Sequence, residues 1–295
     1  VIPLAVDCRA DAPHYELSLL NECLNDRVVA VIAVNFLGHS IDLSIYKDLI
    51  SRKKLNTKII EDNAQWFPVE KVFSSIADYS IFSFGKGKPV TMLGGGMVVS
   101  KSPLLPYTES LIQDVMVQGL ALRAKVNAYN IILNPFHYGL ISRNPFLKIG
   151  TTRFHLHHSI GRMDSFRMKW IVKNHNNYQY RWRAGGVLRS LTEYYAENLG
   201  FNRFLSDVNE NCQREWLRYP LLCKTQPQRN QILDELVKKG LGATGLYPEK
   251  ITAIEGVDGQ VISPLPLNNA ESFSKRILTL PVHEGVSMRY RKEIV

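Results

Sequence analysis

Cysteine is scarce. The chain has four, Cys8, Cys23, Cys212 and Cys223, and none forms a C-x-x-C pair. Thiols scattered over 295 residues make neither a disulfide framework nor a zinc-ligand set. They read as small core or surface residues of a protein in a reducing, cytoplasmic compartment. Long apolar runs are also lacking: none reaches the roughly 18–20 residues that a membrane helix needs. The start, Val1-Ile2-Pro3-Leu4-Ala5-Val6-Asp7, has no basic segment ahead of a long apolar stretch, so no signal peptide is read there. It also lacks an initiator Met, so the expectation is a trimmed or incomplete chain. The phosphate-loop spacing G-x-x-x-x-G-K-[ST] is absent, and the dinucleotide fingerprint fails because Val90 stands where its third glycine belongs. There is no G-x-S-x-G nucleophile elbow. His155-x-His157-His158 would put His155 and His157 on one face of a strand, but no carboxylate or cysteine stands at ligand spacing. No metal site is expected, and these are read as surface or interface histidines.

What is present describes a well-filled globular chain. Hydrophobic residues make up 45% and charged residues 21%, which excludes disorder and suggests one large domain and a smaller one. The net charge of +9 suits a solvated basic face or an anionic small partner such as a nucleotide diphosphate. Without a basic stripe interleaved with aromatics, nucleic acid is not an expected partner. Trp170, Trp182 and Trp216 are expected as core or interface aromatics.

The first hundred residues alternate strands and helices. Ile2 to Val6 is a short apolar run, and Leu17, Leu20 and Leu24 recur at helical spacing. Arg27 to Phe36 is β-branched and almost continuously apolar, which fits a strand buried on both faces of a parallel sheet. Asp42 is expected to cap a helix with the stripe Ile45, Leu49 and Ile50. Strands are expected at Thr57 to Glu61 and Tyr79 to Phe84, with Gly94-Gly95-Gly96 turning the chain into Met97-Val98-Val99. The alternation implies a mostly parallel α/β sheet with flanking helices. Residues 103–147 read as helix and loop broken by Pro135 and Pro145, and 165–205 as helical. A smaller α+β unit follows. It has a strand at Leu217 to Cys223 and another at Ile277 to Leu280. Between them lies an amphipathic helix from Gln228 to Lys239, with Ile232, Leu233, Leu236 and Val237 inward, Pro227 before it and Gly240 stopping it.

Two segments can carry chemistry. Asp62, in Ile59-Ile60-Glu61-Asp62-Asn63-Ala64-Gln65, stands where a buried strand ends, the edge at which open parallel sheets collect ligands. A partly desolvated carboxylate there seeks a cation such as a protonated pyridine nitrogen; a helix cap or a structural ion pair is the plainer alternative. Ser83-Phe84-Gly85-Lys86-Gly87-Lys88-Pro89 also leaves a strand's carboxyl end. Its glycines let the backbone approach a ligand, and a desolvated lysine becomes a nucleophile towards an aldehyde. A solvated Gly-Lys turn is the alternative. His39, after Gly38 at a strand end, is either a pocket residue or a structural one.

Together these segments resemble the DegT/StrS-type sugar aminotransferases, a branch of the fold-type-I pyridoxal-phosphate enzymes. The resemblance rests on Val31-Ile32-Ala33-Val34-Asn35-Phe36-Leu37-Gly38-His39, on Ile60-Glu61-Asp62-Asn63-Ala64-Gln65, on the spacing Ser83-Phe84-x-x-x-Lys88, and on Gly95-Gly96-Met97-Val98-Val99. It continues more weakly through Arg218-Tyr219-Pro220, Gly240 to Tyr247 and Leu280-Pro281-Val282-His283. It implies pyridoxal 5'-phosphate as cofactor, joined to Lys88, which then moves protons between substrate and cofactor. Asp62 would keep the ring nitrogen protonated, Gln65 would bond near the ring's phenolic oxygen, and Ser83 would donate to the phosphate. Lys86 is the competing lysine; the spacing selects Lys88. It further implies a nucleotide-linked keto-sugar as substrate, as in polysaccharide biosynthesis, with glutamate as amino donor. A homodimer with its site at the interface is also implied. The expected organisation is a cofactor-binding large domain, N-terminally incomplete, over 1–105, a helical connecting region over 106–160, and a small domain over 161–295.

The family's dehydratases carry His in place of this lysine, so Lys88 argues against that branch. The family also has several dozen residues ahead of the segment matching Val1, including a phosphate loop on a helix start. The chain is therefore expected to be a fragment, or a protein whose start lies upstream; the alternatives to an aminotransferase are an inactive or truncated homologue with a binding or structural role, and a pyridoxal-phosphate sugar dehydratase. Two further departures are Ile160, at the Asn of an Asn-x-Arg-Met-like element ending here in Arg162-Met163, and Gly94, where an acidic residue is common.

Overall fold

The structure is a computed structural model that describes residues 1–70, 73, 75–104, 112–113, 119–132, 154, 156, 160–199 and 214–295. In chain order its elements begin with β1 (Cys8–Arg9), β2 (Ala12–Tyr15), α1 (Leu17–Cys23), β3 (Ala30–Val34), α2 (Ser44–Arg52), β4 (Lys58–Asn63), β5 (Tyr79–Ser83) and β6 (Gly96–Ser100). They continue with β7 (Ile112–Gln113), α3 (Gly119–Ile132), β8 (Ile160–Gly161), α4 (Ser165–Trp182), α5 (Val187–Asn198) and β9 (Arg218–Leu222). The last are α6 (Gln226–Lys238), α7 (Asn268–Arg276), β10 (Ile277–Pro281) and α8 (Met288–Ile294). The histidines 155, 157 and 158, Pro135, Pro145, Cys212 and the stretch 200–205 lie outside the described residues.

The central sheet has the order β3-β4-β5-β6. The first three strands run parallel and β6 returns antiparallel to β5, so residues 84–95 form a long connection at the carboxyl end of β5. This is the mostly parallel α/β sheet that the alternation implied. Beneath one face, Val31, Ala33 and Ile59 pack on Leu20 and Leu24 of α1 and Tyr46, Leu49 and Ile50 of α2. The other face is not covered by the described residues. Ile32 is 48% exposed, Val34 39%, Ile81 40% and Val98 52%. The expectation that β3 is buried on both faces is thus corrected: period-two alternation places every second side chain on this open face. The register Val34↔Asp62↔Ile81↔Val98 puts Asp62 in the same row.

Several local expectations shift by a residue. Asp42 does not occupy the cap position of α2; from one residue further back its Oδ1 accepts from the Ser44 N–H at 3.0 Å and the Ser44 hydroxyl at 2.6 Å. Tyr46, rather than Ile45, joins the buried stripe of α2, and Leu17 of α1 faces outward. The run Ile2 to Val6 makes only a single bridge, Leu4 to Ile262. In α6 Leu236 is buried but Val237 is 44% exposed; Pro227 sits inside the first turn, where a missing N–H costs nothing. Thr225 caps that helix by accepting from Gln228 N, and Asp164 caps α4 by accepting from Arg167 N.

A second core joins the sheet to the C-terminal part. Trp66, Phe67, Phe82 and Phe84 meet Tyr178 and Trp182 of α4, Leu191 and Tyr195 of α5, and Tyr219, Leu278 and Leu280 of the antiparallel pair β9–β10. Each such fully buried side chain stabilises the fold by about 1.5–3 kcal/mol relative to exposure. Trp182 and Trp216 are core residues as expected, and Trp170 packs at the core's edge. The described cysteines Cys8, Cys23 and Cys223 are free thiols. No helix among the described residues is long and apolar enough to cross a membrane.

Candidate functional site

The end of β4 is fixed from below by a buried polar knot. The Asn35 amide donates to Glu61 Oε1 at 3.1 Å and to Asn63 Oδ1; its own oxygen accepts from Ile41 N at 2.8 Å. Ser80 Oγ donates to the other Glu61 oxygen at 2.7 Å. Glu61 and Asn63 therefore point into the protein, and alternation turns Asp62 between them to the open face. There Asp62 Oδ1 accepts from Ala64 N at 2.9 Å, which shapes the turn into Gln65.

Backbone pairing brings a distant segment beside this turn. Glu215 N donates to Gly38 O at 2.9 Å and Leu217 N to Leu37 O at 2.8 Å. Only glycine serves at position 38: φ is +91°, and an added Cβ would lie 2.0 Å from the Glu215 carbonyl oxygen. His39 is fully buried between the His14 ring at 5.2 Å and the Trp216 ring at 5.8 Å, and it does not line the cavity described below. Burial, His14 and Arg214 push its pKa down to about 3, so it is a neutral packing residue. Of its two readings, the structural one holds.

The connection after β5 is a folded loop. Phe84 O accepts from Met92 N at 2.8 Å and Gly94 N at 3.1 Å, and Thr91 Oγ1 donates to Gly85 O at 2.8 Å. Helix α4 clamps it from outside: Asn174 donates to Thr91 O at 3.0 Å and Arg167 Nε to Met92 O at 3.1 Å. Gly94, where an acidic residue is common in the family, thus lies against a guanidinium, and Met163 packs on Gly95.

Lys88 stands on the inner side of this loop, on the wall of a cavity of about 690 Å³. Burial lowers its pKa, and the Asp62 carboxylate opposes that shift. The same carboxylate acts on Tyr247, whose phenol burial pushes up. Gln65 joins the group: its Oε1 accepts from Leu37 N at 3.1 Å and its Nε2 donates to the Tyr247 oxygen at 2.7 Å. The structure therefore brings Lys88, Gln65 and Asp62 together. Ser83 is the last residue of β5; its Oγ accepts from Gly85 N at 3.4 Å, and neither it nor Asp62 lines the cavity itself. Lys86, the competing lysine, is exposed, with its ammonium 5.9 Å from the Tyr129 ring.

The opposite wall comes from the C-terminal part, through Glu215, Arg218, Tyr247 and His283. These residues fall in or beside the segments of weaker resemblance, and no local pattern marked them. Arg218 is held on Thr279 Oγ1 at 2.7 Å and Gly242 O at 2.6 Å. Burial and Arg218 lower the His283 pKa. Glu215 accepts from the Trp66 indole N–H at 2.8 Å, yet burial still raises it to about 7 from an ordinary 4.5. Between those two pH values the folded chain holds a proton that the unfolded chain has released, so stability falls as pH rises through the window. Glu215→Gln keeps an acceptor for Trp66 and cannot ionise. Denaturant midpoints measured from pH 4 to 8 are expected to fall less with rising pH in the variant than in the wild type; parallel curves would contradict this placement of Glu215.

The family model for the DegT/DnrJ/EryC1/StrS aminotransferases matches residues 1–134 and 187–295. Two curated relatives, both named UDP-4-amino-4,6-dideoxy-N-acetyl-beta-L-altrosamine transaminase and both from Campylobacter jejuni strains, are 23% identical over 99% of this chain and 24% over 89%. The chain spans 70% and 63% of their lengths. Among solved structures, S. venezuelae DesV matches 99% of this chain and 70% of its own with a TM-score of 0.67 at 19% identity. The E. coli GDP-4-keto-6-deoxy-D-mannose-3-dehydratase, solved with bound hydrated PLP, matches 98% of this chain and 72% of its own, with a TM-score of 0.65 at 15% identity. These likenesses establish the fold as that of the fold-type-I pyridoxal-phosphate enzymes. With the family match extending over both the cavity's lysine loop and its opposite wall, the chain belongs to the DegT/DnrJ/EryC1/StrS aminotransferase family.

Proposed function

We propose that this chain carries the active-site half of a pyridoxal-phosphate aminotransferase that acts on a nucleotide-linked keto-sugar, with glutamate as amino donor. The observation that carries the reading is the pairing of a lysine whose proton affinity burial lowers with a carboxylate close enough to act on it. That donor set fits the cofactor, which needs a neutral amine at its aldehyde and a fixed anion at its ring nitrogen. When bound, pyridoxal phosphate supplies an electron sink for negative charge at the substrate carbon.

The chain's own residues do the rest. Lys88 Nζ would hold the cofactor at its aldehyde carbon and would take up and return the proton at the substrate carbon. Asp62 would keep the ring nitrogen protonated. Gln65, fixed by Leu37 N and Tyr247, would orient the ring oxygen. Ser83, whose oxygen already accepts from Gly85 N, would donate its hydroxyl hydrogen to the phosphate. The cavity has room for a sugar beside these groups. In this reading residues 1–105 hold the cofactor, 106–160 connect, and 161–295 supply the facing wall. The working form is a cytoplasmic homodimer. The dehydratase alternative is disfavoured by Lys88, since that branch uses His there.

The test adds pyridoxal phosphate, then glutamate, then a keto-sugar nucleotide. The expected results are a visible absorbance band, its loss on adding glutamate with release of the keto-acid, and an amino-sugar nucleotide by mass spectrometry. A dehydrated sugar would place the chain in the other branch. A chain that never gains the band is the non-catalytic homologue.

A further inference from the structure

Tyr247 belongs to a loop 182 residues beyond Gln65, yet its hydroxyl meets that side chain at 2.7 Å. The direction of this bond follows from Gln65's other partner. A backbone N–H can only donate, so Leu37 N fixes Gln65 Oε1 towards itself and turns Nε2 towards Tyr247. The phenol oxygen is then the acceptor. Its own hydrogen has no acceptor among the described residues, and the side chain lines the same cavity as Lys88. The Phe36 ring, 6.0 Å away, packs on the Tyr247 ring independently of the hydroxyl.

We propose that Tyr247 is a positioning residue, working as a unit with Gln65, that lowers the proton affinity of the Lys88 nitrogen once the cofactor is joined to it. The inference rests on the pyridoxal-phosphate reading above. A hydroxyl already polarised by an accepted bond donates well, and donation to an unprotonated nitrogen, or to an oxygen competing for its proton, favours the deprotonated form. Removing the hydroxyl therefore raises the pH at which the bound lysine loses its proton. Other charged groups bear on the same space: Lys86 from the loop, Glu215 and Arg218 from the facing wall, Arg181, His283 and Glu284 beyond, and Asp62 of β4, whose carboxylate acts on both Lys88 and Tyr247 without lining the cavity. None is changed by the substitution, so comparison of variants isolates the hydroxyl.

The experiment titrates the visible band of the cofactor-loaded full chain in wild type, Tyr247→Phe, Gln65→Met and the double variant, with Tyr180→Phe, an exposed tyrosine, as control. Tyr247→Phe is expected to move the midpoint up by about one pH unit. Gln65→Met should move it the same way, and the double variant should go no further than the larger single shift, because the two act as one unit. The control should match wild type. An unchanged or lowered midpoint in Tyr247→Phe, or shifts that add in the double variant, overturns the assignment. Should Tyr247→Phe not fold, 3-fluorotyrosine placed at position 247, a stronger hydroxyl donor of nearly the same shape, is expected to move the midpoint down, and an unmoved or raised midpoint overturns the assignment. If the wild type takes up no cofactor, with no band and no borohydride-trapped label, the functional reading fails and this inference with it; a wild-type band with coincident midpoints rejects Tyr247 alone.

Discussion

Replacing Lys88 with alanine is expected to remove the visible band of the cofactor-loaded chain and to lower amino transfer by at least about a thousandfold, since the proposed site would lose covalent binding and proton transfer together. Lys86→Ala, two residues away, leaves the band in place. The contrast follows from position. Both lysines lie on the cavity wall, but Lys88 is half-buried, with its proton affinity lowered by burial and opposed by the Asp62 carboxylate, whereas Lys86 is exposed and leans on the Tyr129 ring. Neither change threatens the fold, because the loop is pinned by backbone bonds of Phe84 and by Asn174 and Arg167 rather than by either ammonium. Absorbance and single-turnover assays with glutamate check both variants. A Lys88→Ala chain that keeps the band, or a Lys86→Ala chain that loses it, contradicts the assignment.

Asp62→Asn has the second-largest effect, and its two consequences run in opposite directions. Asparagine keeps an oxygen for Ala64 N, so the turn survives, but the charge is gone. The carboxylate raises the Lys88 pKa, so without it the free amine forms at lower pH. The pH profile of Lys88 labelling by an amine reagent in the cofactor-free chain is therefore expected to move down. Turnover is nevertheless expected to fall, by about a hundred- to a thousandfold, because the proposed site would lose a fixed charge at the ring nitrogen. A merely structural Asp62 would move neither profile in this paired way, and unchanged turnover with a shifted labelling profile would assign it to lysine tuning alone.

Much of this was legible in local pattern. The continuous apolar run around Val31 and Ala33 marked β3, and the spacing from Ser83 to Lys88 pointed to the lysine on the loop that now lines the cavity. What pattern missed is of two kinds. One is exposure: an apolar run has no record of what covers it, so Ile32 and Val34 were expected inside although their face of the sheet is open among the described residues. The other is distance along the chain. Tyr247 meets Gln65 across 182 positions, and Glu215 reaches Trp66 across 149. Such contacts arise from how β9 and its neighbours pack against the sheet, which periodicity does not encode. Gly38 is the residue where the two scales meet: its glycine was visible in the family-like segment, but the reason for it, a backbone oxygen 2.0 Å from any Cβ, belongs to residue 215.

Borohydride reduction of the chain mixed with pyridoxal phosphate, followed by peptide mass mapping, puts the question most directly. The account predicts a reduced cofactor adduct on the peptide bearing Lys88, at one site and near one equivalent. Label confined to Lys86, spread over surface lysines in proportion to exposure, or missing altogether would contradict it.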